Sequence, residues 1–145
     1  MPNFTLVKWV QIDGDFEGFD DGAVFRLADG TYWIQDQYLF WYHCSCNPWV
    51  LILRSDNRYY LQVAGKDKIV AVRRLRHFHE CQIDGAFTGW DIERAYRLTN
   101  GEVWQQSRLT YEYADAFKPE ALIYEAASGT RMLVEGTNVG VRRIG

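Results

Sequence analysis

No apolar run in the 145-residue chain approaches the roughly 18 residues that a membrane-crossing helix needs. The opening MPNFTLVKWVQIDG has no basic cluster followed by an apolar stretch, so neither a membrane span nor an export signal is expected. Positive charge is not in excess either: 16 Lys and Arg stand against 19 Asp and Glu, a formal net charge of −3. That balance argues against a general phosphate-backbone binder, which needs surplus cations to displace counterions. Cysteine is scarce and odd in number, with Cys44, Cys46 and Cys81. Without an export signal this reads as reduced thiols in a cytoplasmic protein. No G-x-S-x-G, H-E-x-x-H or Walker pattern occurs, so the chain is read as a non-enzyme that needs no cofactor.

What the chain does have is a repeat and many aromatic residues. QIDGDFEGFDDGAVFRLADGTYWIQ begins at Gln11, and QIDGAFTGWDIERAYRLTNGEVWQQ begins at Gln82. The alignment runs on through Tyr42/Tyr113, Pro48/Pro119, Leu51-Ile52/Leu122-Ile123 and Gly65/Gly136. After a two-residue gap VAVRRL (70–75) matches VGVRRI (139–144). Roughly a third of aligned positions are identical, and two copies are too few for a solenoid. Residues 1–75 and 76–145 are therefore read as two β repeats.

Both copies carry the marks of β structure. AVFRLADGTYWIQ and RAYRLTNGEVWQQ each set two aromatic and β-branched stretches around Asp29-Gly30 or Asn100-Gly101. Asp-Gly and Asn-Gly predict hairpins with type I′ turns. Further strands are predicted at Tyr38–His43, Val50–Arg54, Tyr59–Val63 and Ile69–Arg74. YADAFKPEALIYEAA (113–127) is read as strand-loop-strand about Pro119 rather than as a helix. About six short strands in some 65 residues are too few for a sandwich and fit a small bent barrel, with Gly14/Gly85 and Gly18/Gly89 at bends or bulges. Residues 69–83 contain no Gly or Pro, so the two barrels are expected to pack rigidly together.

The residues Ile83-Asp84-Gly85, Trp90, Asn100-Gly101, Trp104, Gln106, Tyr111, Tyr113, Pro119 and Leu133-Val134-Glu135-Gly136 resemble a family of small uncharacterised bacterial proteins. The resemblance spans nearly the whole chain, and the first copy departs from it at Phe19, Asp29 and Ala64. It implies an SH3-like barrel module in tandem and carries over no activity.

Three groups of residues are candidates for function. Trp33 with Gln35, and Trp104 with Gln106, share a strand face. They suit either a ligand site with an aromatic floor and an amide, or a core Trp whose Gln binds backbone. His43, Cys44 and Cys46, together with His77, His79 and Cys81, could hold zinc or could be packed thiols and surface imidazoles. Last, YLFWYH (38–43) is apolar on both faces, with Tyr38, Phe40 and Tyr42 on one and Leu39, Trp41 and His43 on the other. In LTYEYA (109–114), Thr110 and Glu112 make one face polar. Phe40, Trp41 and Trp49 are therefore expected to form an interface with a second copy or another protein, with Trp41 buried in a homodimer; the alternative is that Trp41 packs against the second copy of the repeat within the chain, which leaves a monomer. The functional expectation is an interaction module that self-associates. The alternative is a small-molecule or single-stranded nucleic-acid binder using exposed aromatics, with nucleic acid disfavoured by charge.

Overall fold

The computed structural model describes residues 3–91, 94–107 and 110–145, and every element in it is a β-strand. No helix among the described residues is long and apolar enough to cross a membrane. The chain divides into two compact units, Met1–Arg76 and His77–Gly145.

The first unit holds β1 (Thr5–Gln11), β2 (Asp15–Phe19), β3 (Val24–Arg26), β4 (Tyr32–Gln35), β5 (Trp41–Cys46), β6 (Trp49–Ser55), β7 (Arg58–Val63) and β8 (Ile69–Arg74). The second holds β9 (Phe78–Gln82), β10 (Ala86–Trp90), β11 (Ala95–Arg97), β12 (Val103–Gln106), β13 (Glu112–Phe117), β14 (Glu120–Ala126), β15 (Gly129–Val134) and β16 (Thr137–Arg143). In each unit six strands form one sheet, ordered β1-β6-β7-β8-β4-β3 and β9-β14-β15-β16-β12-β11, and two form a ribbon, β2-β5 and β10-β13. The order is the same in both units. The strand expected at Tyr38–His43 starts later, at Trp41, and runs to Cys46. Pro119 stands between β13 and β14, and Lys118 before it takes a left-handed φ of 48–49°, as Asn47 does before Pro48.

A closed barrel is not what forms. Each six-stranded sheet is open, and its edges meet at one residue pair only, Ile12 with Leu27 and Ile83 with Leu98. In the first unit the Asp13 amide donates to the Arg26 carbonyl and the Ala28 amide to the Gln11 carbonyl. The edge strands diverge beyond this point, so the ladder stops there.

The hairpins stand where Asp29-Gly30 and Asn100-Gly101 place them, but the turn is not type I′. Gly30 and Gly101 alone take positive φ, whereas Asp29 and Asn100 do not. The Gly30 amide bonds the Leu27 carbonyl and the Leu27 amide bonds the Thr31 carbonyl, and Leu98 to Glu102 repeats this. This is a three-residue loop, a type I turn closed by a left-handed glycine. The right-handed Asp29 can then turn its carboxylate onto the Thr31 amide and hydroxyl, at 3.0 and 2.6 Å.

Each core contains twelve buried residues at equivalent positions. Phe16, Phe19, Phe25, Leu27 and Trp33 correspond to Phe87, Trp90, Tyr96, Leu98 and Trp104. The ribbon supplies two of these aromatics although they lie three residues apart, which strict alternation would send to opposite faces. The pairing is irregular between Phe16 and Gly18, and between Phe87 and Gly89: β5 and β13 each carry one extra residue there, and Gly18 and Gly89 take positive φ. Gly18 and Gly89 have φ of 108° and 106°, and a Cβ there would lie 1.8 Å from the Trp41 carbonyl oxygen or 1.9 Å from that of Glu112. Alanine at either position should cost about 4 kcal/mol or more in chemical denaturation. At Gly30, where a Cβ meets nothing within 4 Å, it should cost only the about 1–2 kcal/mol of left-handed backbone. Equal losses at Gly18 and Gly30 would refute the close-approach account.

Candidate functional site

β4 and β12 place Trp33, Gln35, Trp104 and Gln106 in matching registers, with Trp33 opposite Arg74 and Trp104 opposite Arg143. All four are buried. Both indoles belong to the cores, and their N–H groups are used within the hairpins: Trp33 donates to the Thr31 hydroxyl at 3.1 Å, and Trp104 to the Glu102 carboxylate at 3.2 Å. Gln35 accepts from the Asp20 amide at 2.9 Å and donates to the carbonyls of Asp20, Gln37 and Leu39. Gln106 donates to the Thr110 carbonyl at 2.7 Å. Its oxygen takes the Tyr96 hydroxyl at 3.4 Å, and that hydroxyl also reaches the Gly89 carbonyl at 3.1 Å. Neither pair forms the aromatic floor with an adjoining amide that a ligand site would need. Each glutamine ties the end of the ribbon strand to the loop ahead of its partner. Gln35→Ala and Gln106→Ala should each cost about 2–3 kcal/mol in denaturant unfolding, because they strand backbone groups tied inside the fold. A loss below about 0.5 kcal/mol would mean water replaces the amide.

The indole edges carry a second repeated feature. In the first unit Lys8 Nζ lies 2.7 Å from the Asp29 carboxylate and 5.8 Å from the Trp33 ring. In the second, His79 takes the place of Lys8 and lies 3.4 Å from Glu102, which also meets Arg143 at 3.3 Å. The Trp104 hydrogen bond, ahead of those from Asn100 and the nearby cations, holds Glu102 below the ordinary carboxylate range despite some desolvation. For Asp29, desolvation alone would raise the pKa, but the bonds from Lys8 and Thr31 outweigh it and bring it to about 2. A depressed carboxylate contributes stability above its unfolded value near pH 4, and that contribution is lost as pH falls towards 2. The stability difference between wild type and Asp29→Asn should therefore be constant above about pH 5 and shrink toward zero near pH 2. A difference independent of pH in urea titrations would show that the carboxylate charge is not what matters.

Trp41 does not face outward, contrary to expectation. It packs on Phe19 at 5.2 Å and stacks on His43 at 4.9 Å with planes 5° apart, half-buried against the first core. The bulge phases β5 so that Trp41 and His43 turn inward and Tyr42, Cys44 and Cys46 turn out. Phe40 is exposed, and Trp49 is half in solvent and stacked on Trp9 at 5.9 Å. The most exposed aromatic residues are Tyr38, Phe40 and Tyr42 in the first unit and Tyr111, Tyr113 and Phe117 in the second, each 61–83% exposed. In the second unit Tyr111, Glu112 and Tyr113 are all exposed, so the polar Glu112 does not distinguish that unit from the first in its exposed tyrosines. Leu109, which opens that segment, lies outside the described residues.

The histidines and cysteines are dispersed. His43 turns inward, while Cys44 donates to the Tyr42 phenol oxygen at 3.1 Å and Cys46 is exposed. His77 precedes β9, His79 faces Glu102, and the Cys81 thiol donates to the Ala121 carbonyl at 3.4 Å. Burial first, and Glu102 second, push the Cys81 thiol up to about 11, which disfavours the thiolate that metal or substrate would need. Among the described residues no group of three or more His, Cys, Asp or Glu side chains is placed to hold a metal ion.

No family model, curated protein or solved structure matches the chain.

Proposed function

We propose that the protein is a non-enzymatic interaction module of two SH3-like units in tandem. Each unit would offer the outward aromatic row of its ribbon to an extended segment of another protein. The observation that carries this reading is that row: three large aromatic side chains in solvent in each unit, two of them, Phe40/Tyr111 and Tyr42/Tyr113, at equivalent positions. Tyr42 lies on β5 with Phe40 two residues ahead of it, and Tyr113 lies on β13 with Tyr111 two residues ahead. Residues two apart in an extended chain recur at about twice the 3.3 Å rise, which matches the alternate side chains of an extended peptide. The SH3-like description is supported by the shared strand order and by the meeting of sheet edges at Ile12/Leu27 and Ile83/Leu98. Small-molecule binding at Trp33 or Trp104 has less support, because the neighbouring amides are used inside the fold. Stacking on single-stranded nucleic acid has less as well, because Asp15 and Glu17 lie beside the first unit's row and would repel phosphates.

The test is a display library of extended peptides selected on wild type. Against selected peptides, Tyr38→Ser/Phe40→Ser/Tyr42→Ser and Tyr111→Ser/Tyr113→Ser/Phe117→Ser should each weaken binding by at least about tenfold with little change in unfolding midpoint, since exposed aromatics add little to the cores. Undiminished binding by both triple variants, or a library that yields no binder, would overturn the reading.

A further inference from the structure

The second unit contains a bound guanidinium of its own. Arg94, just before β11, places Nη1 2.7 Å from the Thr88 hydroxyl and 3.4 Å from the Gly89 carbonyl, with Nη2 3.3 Å from the Asp91 carboxylate. Thr88 and Gly89 belong to β10, where it faces the bulge in β13, beside the outward Tyr113 that pairs with Gly89. The repeat fixes the equivalent positions in the first unit. Gly18 pairs with Tyr42 as Gly89 does with Tyr113. The Gln35 amide bonds the Ala23 carbonyl as the Gln106 amide bonds that of Arg94. Hence Ala23 stands for Arg94, Glu17 for Thr88, Gly18 for Gly89 and Asp20 for Asp91.

The first unit therefore lacks the cation and carries an additional acid at this place. Among the described residues no ion pair reaches Glu17, Asp20 or Asp21. Burial, and after it the charges of Asp21 and Glu17, raise the Asp20 carboxyl above its ordinary range. Three mutually repelling carboxylates beside an exposed aromatic row form a surface complementary to a cation on a partner.

We infer that the first unit receives at Glu17, Gly18 and Asp20 the guanidinium of an arginine from a partner protein, whose extended segment lies along Tyr38, Phe40 and Tyr42. This rests on the reading of the row as a docking face and adds the chemistry of the occupant. Arginine fits better than lysine. Its planar fork can bond a carboxylate and a carbonyl together, as Arg94 does, and can stack on a tyrosine.

The probe is acetyl-Arg-Gly-Arg-Gly-Arg amide, with a neutral twin carrying citrulline for arginine, titrated into labelled full-length protein and followed by NMR. The arginine peptide should shift the amides of Gly18, Asp20 and Asp21 to saturation, and the citrulline twin should bind at least about tenfold more weakly. Ala23→Arg, which supplies the guanidinium within the chain as Arg94 does, should weaken the arginine peptide similarly. Glu17→Gln/Asp20→Asn should do the same and covers the case in which Ala23→Arg does not fold. Equal binding of the two peptides overturns the inference while leaving the aromatic row as a docking face. Unchanged binding by folded Ala23→Arg, or no response at Gly18–Asp21, overturns it too. The serine variants above decide the docking reading separately.

Discussion

The backbone contact at Gly18 and Gly89 sets the phase of everything on the ribbon. A side chain cannot stand between either glycine and the carbonyl of the facing strand. With the chain drawn in that close, β5 gains one residue over β2, and β13 over β10. That irregular pairing, with the positive φ of the glycine, resets the alternation along β2 and β10. Phe16 and Phe19 both enter the core, Glu17 faces out, and on the partner strand Trp41 turns in while Tyr42 turns out. A regular ribbon would hold one aromatic of each pair in water, forfeiting about 2–3 kcal/mol of burial per ring. It would also move the outward tyrosines to the inner face. The core and the candidate docking face are thus two consequences of one bulge.

Around that bulge the two units reach the same ends with different residues. The Asp20 amide takes the Gln35 side chain directly. In the second unit the Tyr96 hydroxyl stands between, accepting from the Asp91 amide and donating toward Gln106. At the hairpin, Lys8, Asp29 and Thr31 are replaced by His79, Asn100 and Glu102, so the carboxylate moves along the loop and the facing cation remains. Such exposed pairs contribute little individually. What both arrangements keep is a partner for the indole N–H of a buried Trp, the group whose desolvation would cost most.

Much of this was legible in the sequence. The repeat, the all-β character, the hairpin positions and the strand-loop-strand about Pro119 follow from residue types whose preferences are local. The turn type did not follow, because Asp-Gly satisfies both a two-residue type I′ turn and the final two positions of a type I turn with a left-handed glycine. Barrel closure did not follow either, since how far an edge ladder extends depends on twist rather than on side-chain pattern. The inward placement of Trp41 was hidden because both faces of YLFWYH are apolar. A signal was nevertheless present between the copies: the cross-strand pair Phe19/Trp41 becomes Trp90/Glu112. Trp90 is larger than Phe19 and fully buried, so the second core closes without an aromatic at position 112, which is left free to be charged.

The same comparison separates what folding requires from what it leaves open. At the twelve core positions every residue in one unit meets an apolar or aromatic counterpart in the other. On the outer face of the ribbon, Asp15 and Glu17 become Ala86 and Thr88, and Cys46 becomes Phe117, whose ring has Lys118 5.8 Å from its centroid. None of these exchanges disturbs a core contact, because all lie on the solvent side of the bulged strands. Two units with one interior can therefore carry different charges beside similar aromatic rows. In the second unit Arg94 neutralises its acid within the chain, whereas in the first the carboxylates remain uncompensated. The asymmetry between the copies lies on the surface where a partner would be selected, and the shared bulge presents that surface the same way in both.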